Sequence, residues 1–292
     1  MKKTCTLVAN VDGWRDFHNG KDYGVCAIRL ARSLRANGGK CKDMDLVFWH
    51  PENNPPLKLI TNELKRLNCK ILCGKVPITN QETLTILDVG DMAKNARSFA
   101  DATFCTLAAC QLEFNTDYTL YLNVDSYVLG DFSDLFEEAN TDLSLIPAQW
   151  SYEIFARKED IPIMSEFYED FGCTMNKNLK TISQVDKKEC NLYFYTTAVM
   201  YKNGIGFGNK YEDAVRAVFS KIPKVERYHR VVALVQVPIG MVIQKHKLSY
   251  SEIPLSVMWN YGAHDHTMSG SPAIVHCQWS KFPGVQDEIW EV

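Results

Sequence analysis

Apolar and polar positions follow two rhythms along this chain. Cys5 to Ala9 is an unbroken apolar run, which predicts a short buried strand. Tyr23, Ala27, Leu30, Ala31 and Leu34 then recur at helical spacing, and Asn37-Gly38-Gly39 supplies a stop, so a helix is expected from Tyr23 to Arg35. Leu46 to Trp49 reads as the next strand, closed by Pro51 and the turn Asn53-Asn54-Pro55-Pro56. Leu57 to Leu67 is expected to be helical and Cys69 to Leu72 extended. Strands and helices taking turns in this way predict an α/β fold with a mixed, mostly parallel sheet flanked by helices.

Beyond this region a long helix is expected from Arg97 to Leu112, leading into a strand that begins at Tyr118. Leu143 to Ile146, Leu192 to Tyr201 and Ala273 to Cys277 read as further strands. Tyr211 to Ile222 is an amphipathic helix, and Val231 to Lys247 is a second helix that Pro238 breaks or kinks. Between Trp150 and Glu189 the periodicity dissolves, so residues 150–190 are expected to form an irregular insertion over the active-site edge. The stripe Phe167, Tyr168 and Phe171 reads as a cover for the core. No internal repeat or low-complexity linker interrupts the chain, and residues 1–292 are read as one domain.

Composition narrows the function. The 32 Lys and Arg against 35 Asp and Glu leave a formal charge of −3, and no basic block marks a nucleic-acid footprint. An anionic ligand would therefore need a local cation. The apolar stretch near the N-terminus is shorter than the roughly 7–15 residues of a secretory core, and no run approaches the roughly 18–20 residues of a membrane span. The expected location is the cytoplasm, or the host cytoplasm for a viral protein. Ten cysteines occur without any C-x-x-C, and several lie among apolar residues, so reduced, mostly buried thiols are expected.

The stretch richest in chemistry is Tyr118 to Phe136, YTLYLNVDSYVLGDFSDLF. An apolar run ends in Asn123-Val124-Asp125, which sets two side-chain oxygens two residues apart at the end of a buried strand. Ligands of open α/β sheets collect at that edge. Such an oxygen pair suits a hard dication, and a dication there would hold a diphosphate.

Leu120-Tyr121-Leu122-Asn123-Val124-Asp125-Ser126-Tyr127-Val128, with Asp131, Asp134, Leu135 and Phe136, resembles the hallmark strand of glycosyltransferase family 8, the glycogenin-like enzymes. Asn123 replaces the first Asp of that family's D-x-D. Three other stretches are similar to the family's in the same order. They are Leu7 to Asn10 with Tyr23 and the helix after it, Leu234-Val235-Gln236 followed by Leu255 to Asn260, and Ile274-Val275-His276-Cys277 with Lys281 and Pro283. In the second, Val235 stands where the family has Asp; in the third, Lys281 comes one residue early.

The resemblance implies a GT-A fold and a retaining transferase. The donor would be a UDP-sugar, the cofactor Mn2+ or Mg2+, and the acceptor a carbohydrate or glycoconjugate hydroxyl. It implies metal ligation by Asn123, Asp125 and His276, nucleotide contacts from Val8, Ala9, Asn10, Tyr23 and Val124, and a diphosphate contact from Lys281. Gln236 would lie on the far face of the reacting sugar. The family's basic residue before the D-x-D strand falls at Thr106, with Lys94 or Arg97 as substitutes. The departures at Asn123 and Val235 keep two other readings open, a catalytically silent nucleotide-sugar binder and a UDP-sugar hydrolase.

Overall fold

The computed structural model describes residues 2–12, 15–16, 21–78, 104–226, 229–261 and 271–277. The fold is α/β with a mostly parallel sheet flanked by helices. The chain resolves into two compact units. One is drawn from Met1–Lys75, Thr116–Ala139 and Pro254–Val292, the other from Val76–Asn115 and Asn140–Ile253.

In the first unit β1 (Cys5–Asn10) is buried along its whole length. The two-residue strands β2 (Arg15–Asp16) and β3 (Lys21–Asp22) form a small antiparallel ladder. Helix α1 (Tyr23–Asn37) follows, capped by the Asp22 carboxylate, which accepts from the Gly24 and Val25 N–H groups at 2.9 and 3.3 Å. Next come β4 (Leu46–Pro51), α2 (Lys58–Arg66), β5 (Lys70–Gly74) and β6 (Tyr118–Leu122). The strands are parallel in the order β6-β1-β4-β5. β1 and β6 are buried on both faces, which explains why they read as continuous apolar runs rather than alternating ones.

After β6 the chain turns through Asn123-Val124-Asp125-Ser126, closed by the Ser126 N–H donating to the Asn123 carbonyl at 3.0 Å. It then enters β7 (Ser126–Val128), and a short helix α3 (Asp134–Glu137) follows. Helix α1 clamps β7 at both polar groups of Val128. The Ser33 hydroxyl accepts from the Val128 N–H at 3.0 Å, and the Asn37 side-chain amide donates to the Val128 carbonyl at 2.9 Å. Asp131 ties the next turn to the end of α1, accepting from the Lys40 N–H at 2.9 Å and the Ser133 N–H at 2.8 Å. Its partial burial works against ionisation, but those two N–H groups win and hold the carboxyl at about 2. Asp131, an acid of the family motif, therefore has a structural role here.

The second unit holds β8 (Leu143–Pro147), helix α4 (Ile161–Asp170), β9 (Lys180–Ile182), β10 (Glu189–Asn191) and β11 (Phe194–Lys202). It continues with α5 (Phe207–Val218), α6 (Arg230–Val235), α7 (Val237–His246) and β12 (Tyr250–Glu252). β8 pairs parallel with β12 and antiparallel with β11, whose register shifts between Tyr195 and Val199. The helix expected over Val231 to Lys247 is broken, as Pro238 suggested. Pro238 has no N–H to donate back, and α6 and α7 meet at Gln236.

The stretch expected to be an irregular insertion is more regular than its sequence suggested. It contains α4 and the antiparallel pair β9–β10. Met164, Phe167 and Tyr168 face inward with no exposure, at the three- and four-residue intervals of a helix face, and Pro162 sits in the first turn, where its missing N–H costs nothing. Residues 104–110 are helical, within the helix expected from Arg97. Lys94 and Arg97 lie outside the described residues. Cys5, Cys26, Cys41, Cys69, Cys73, Cys105, Cys110, Cys173 and Cys190 are free thiols. Burial pushes the Cys69 thiol to about 11 and Cys41 to about 12, and Cys5 and Cys110 higher still. No described helix is long and apolar enough to cross a membrane.

Since α1 fixes β7 through Val128, Ser33→Ala should leave a buried N–H without its acceptor. The expected loss is about 1–3 kcal/mol in denaturant unfolding, with the far-ultraviolet spectrum of the folded state unchanged.

Candidate functional site

The turn that ends β6 places Asn123 and Asp125 at the C-terminal edge of the parallel strands of the first unit. Asn10 is the last residue of β1 and lies at the same edge, because β1 and β6 run parallel. A third strand system brings His276 to this point. β14 (Ile274–Cys277) pairs parallel with β13 (Met258–Tyr261) and antiparallel with β7, and the register sets His276 opposite Ser126. His276 Nε2 lies 2.9 Å from Asp125 Oδ1, with both side chains almost wholly buried at 2% and 8% exposure. Asn123 Nδ2 lies 3.4 Å from the same ring nitrogen. The three expected ligands are thus gathered about one point.

The Tyr121 hydroxyl lies 2.6 Å from Asn10 Oδ1 and 3.0 Å from Asn123 Oδ1, yet it has one proton, so one of the two amides turns end for end. With Asn123 turned, Tyr121 donates to Asn10 and accepts from Asn123, and the Asn123 oxygen faces His276. In that arrangement a carboxylate, an amide oxygen and an imidazole converge, a donor set suited to a borderline or hard dication. Among the described residues the buried Ser126 hydroxyl, opposite His276 in register, has no hydrogen-bond partner. Among the described residues no cluster of three His, Cys, Asp or Glu side chains could hold a metal, since Asn123 takes the place of a second carboxylate.

The other expected contacts divide. Val8, Ala9 and Val124 are buried. Tyr23 is half-buried at the first position of α1. Thr106 is buried in the second unit. Lys281 lies outside the described residues. The sequence reading missed two residues at this edge: Tyr121, whose hydroxyl joins Asn10 to Asn123, and Asp12, an acid with 3% exposure just past β1. The signal for Asp12 was a charged residue directly after a buried strand.

Comparison with known proteins gives this geometry a context. Residues 18–247 match the family described as Rhodobacterales glycosyltransferase domain. The chain belongs to this glycosyltransferase family. The matched stretch contains Asn123, Asp125 and Gln236 and stops short of His276. No curated protein matches the sequence. Among solved structures, apo mouse xyloside xylosyltransferase 1 superposes with a TM-score of 0.53 at 12% identity, covering 94% of this chain and 98% of that one. An active-site mutant of LgtC gives 0.51 at 11% identity, covering 93% and 86%. At such identities the likeness concerns the fold, which is GT-A.

In the second unit of this glycosyltransferase, Gln236 sits half-buried at the junction of α6 and α7. Its Oε1 accepts a hydrogen bond from the Tyr193 hydroxyl. The Tyr193 ring lies 5.9 Å from that of Tyr195, edge to face, and the Tyr195 hydroxyl donates to Glu153 Oε2. Glu153 Oε1 accepts from the Trp150 N–H at 3.0 Å. Burial pushes the Glu153 carboxyl up to about 7, against the stabilising donors Tyr195, Trp150 and Gln149, while the charge of Asp186 pushes it further up. Sequence reasoning missed Glu153 because its partners are brought to it by the fold.

A carboxyl at about 7 in the folded chain and about 4.5 in the unfolded one links stability to pH. The proton held by the native state stabilises it fully below pH 4.5, and this contribution is lost as pH rises through 7. Unfolding at pH 5 and pH 8 should show a Glu153-dependent fall of about 3 kcal/mol. Glu153→Gln should remove most of that fall.

Proposed function

We propose that this chain is a metal-dependent, retaining glycosyltransferase that takes its sugar from a UDP-sugar and delivers it to a carbohydrate or glycoconjugate hydroxyl. The supporting observation is the convergence of Asp125, His276 and Asn123 at the C-terminal edge of β6, beside Asn10. Membership in a glycosyltransferase family and the GT-A fold supply the reaction class. The likeness to family 8 supplies the finer reading of donor, ion and stereochemistry.

In this reading Asp125, Asn123 and His276 hold Mn2+ or Mg2+. The bound dication would supply Lewis-acid stabilisation of the diphosphate leaving group. Asn10 and the backbone of Val8, Ala9 and Val124 position the nucleotide, and Tyr23 stacks against the base. Lys281, assigned from its sequence position, adds a positive charge at the diphosphate. Gln236 presents an amide oxygen to the sugar as positive charge develops at its reacting carbon. An amide is a poor nucleophile, so attack by the acceptor from the face that the diphosphate leaves is favoured over a covalent intermediate.

With one carboxylate rather than two among its three expected ligands, the site has less charge of its own to hold a dication. Opposite unit charges about 4 Å apart are worth roughly 4 kcal/mol at an effective dielectric near 20, and that contribution is missing at Asn123. The nucleotide phosphates make up the deficit. Calorimetry should therefore show Mn2+ binding at least tenfold tighter with UDP present than without it. Equal affinity in the two titrations would contradict the reading.

Activity separates the competing functions. Wild type with Mn2+ should release UDP from a UDP-sugar, faster when a sugar acceptor is added. Asp125→Ala should lower that rate on the order of a thousandfold, equivalent to about 4 kcal/mol of barrier. Release indifferent to every acceptor would indicate the hydrolase, and absence of release with every donor would indicate the silent binder.

A further inference from the structure

The family 8 pattern that the sequence resembles has a carboxylate next to the residue matched by Gln236, and this chain has Val235 there. In the second unit a different carboxylate, Glu153, is linked to Gln236 through two tyrosines. Glu153 closes the turn after β8, with its carboxyl held by the Trp150 N–H and the Tyr195 hydroxyl. Tyr193 and Tyr195 lie two residues apart at the start of β11, their rings 5.9 Å apart at 67°. The Tyr193 hydroxyl donates to Gln236 Oε1. Glu153 and Gln236 are thus joined by a hydrogen bond at each end and an edge-to-face ring contact between the two tyrosines. Tyr193 and Tyr195 have 2% and 9% exposure, so this link runs through a low-dielectric interior where a charge acts at full strength.

We propose that Glu153 is the positioning residue for Gln236, holding its amide through the Tyr195–Tyr193 pair and supplying the negative charge that Val235 cannot. The inference rests on the transferase reading. A carboxylate in that place favours the positive charge that builds on the sugar carbon, and it does so without touching the substrate. Ionised Glu153 is the active form. The charged and titratable groups around it are Asp186 from the β9–β10 loop, Cys190 of β10, and Tyr193 and Tyr195 at β11. Asp186 is kept ionised: its burial works the other way, but hydrogen bonds from the Ser151 and Ser183 hydroxyls and the Ser151 N–H prevail. Asp160, which also acts on Tyr193, is paired with Arg157 at 3.0 Å. None of Asp186, Cys190, Tyr193 and Tyr195 is a cation.

The test is the pH profile of kcat at saturating UDP-sugar and acceptor, for wild type, Glu153→Gln and Tyr195→Phe. Wild-type kcat should rise with pH through a limb near 7. Glu153→Gln should lose that limb and, at pH 8, lower kcat roughly tenfold to a hundredfold with the donor KM little changed. Tyr195→Phe keeps the ring but removes a donor to the carboxylate, so the limb should move to higher pH. Glu153→Asp should restore a titrating limb. A limb unchanged in both Glu153→Gln and Tyr195→Phe overturns the inference while the transferase reading stands. Absence of turnover by the wild type with every UDP-sugar removes that reading and the inference with it.

Discussion

The contact between Asp125 and His276 sets the strictest demand on the first unit. It joins a turn after β6 to a strand near the end of the chain at 2.9 Å, in surroundings that exclude most water. A carboxylate in such a place is costly unless it has a partner. Two ladders supply the partner: β1 fixes β6, and β14 fixes β7. The clamp from Ser33 and Asn37 onto Val128 transmits the position of α1 to the same turn. A slip of one residue between β7 and β14 would turn the imidazole to the opposite face and leave the acid alone.

The two units carry different parts of the chemistry. The first offers oxygen and nitrogen donors at a strand edge, suited to an ion and a nucleotide. The second offers an amide held by a tyrosine, with a carboxyl behind it whose proton affinity lies near neutrality. Each of the two departures from the family 8 pattern that the sequence resembles replaces an acid with an uncharged residue, at Asn123 and at Val235. In the proposed reading the first is made good by the phosphates of the donor and the second by Glu153. Both substitutions thereby transfer electrostatic work from a short motif to groups that assemble around it.

What could be read from the sequence follows from the range of the interactions. β1, β6 and α1 were legible because burial on both faces, or on one helical face, leaves a local trace. The break at Pro238 was legible because a missing N–H acts on its own helix. Helix α4 was not read, although Ile161, Met164, Phe167, Tyr168 and Phe171 keep helical spacing, because the polar and aromatic residues on either side of it carry no regular period. Asp125 and His276 were assigned to one place only through the order of motifs, and the structure brings their side chains together. Glu153 with Tyr195, and Tyr193 with Gln236, could not have been paired in advance, since each partner is some 40 residues away and only the folded core decides the match.

The cap on α1 has one more consequence. Many nucleotide-binding folds draw a phosphate to the open end of a helix, where bare N–H groups and the peptide dipoles attract anions whether or not an ion is present. Here Asp22 already occupies the first free N–H groups of α1 and sets a carboxylate at that end. Those N–H groups are therefore not open to a phosphate. In the proposed reading, holding the diphosphate falls to the divalent ion rather than to this helix, and a chelator would release the nucleotide as well as stop the reaction.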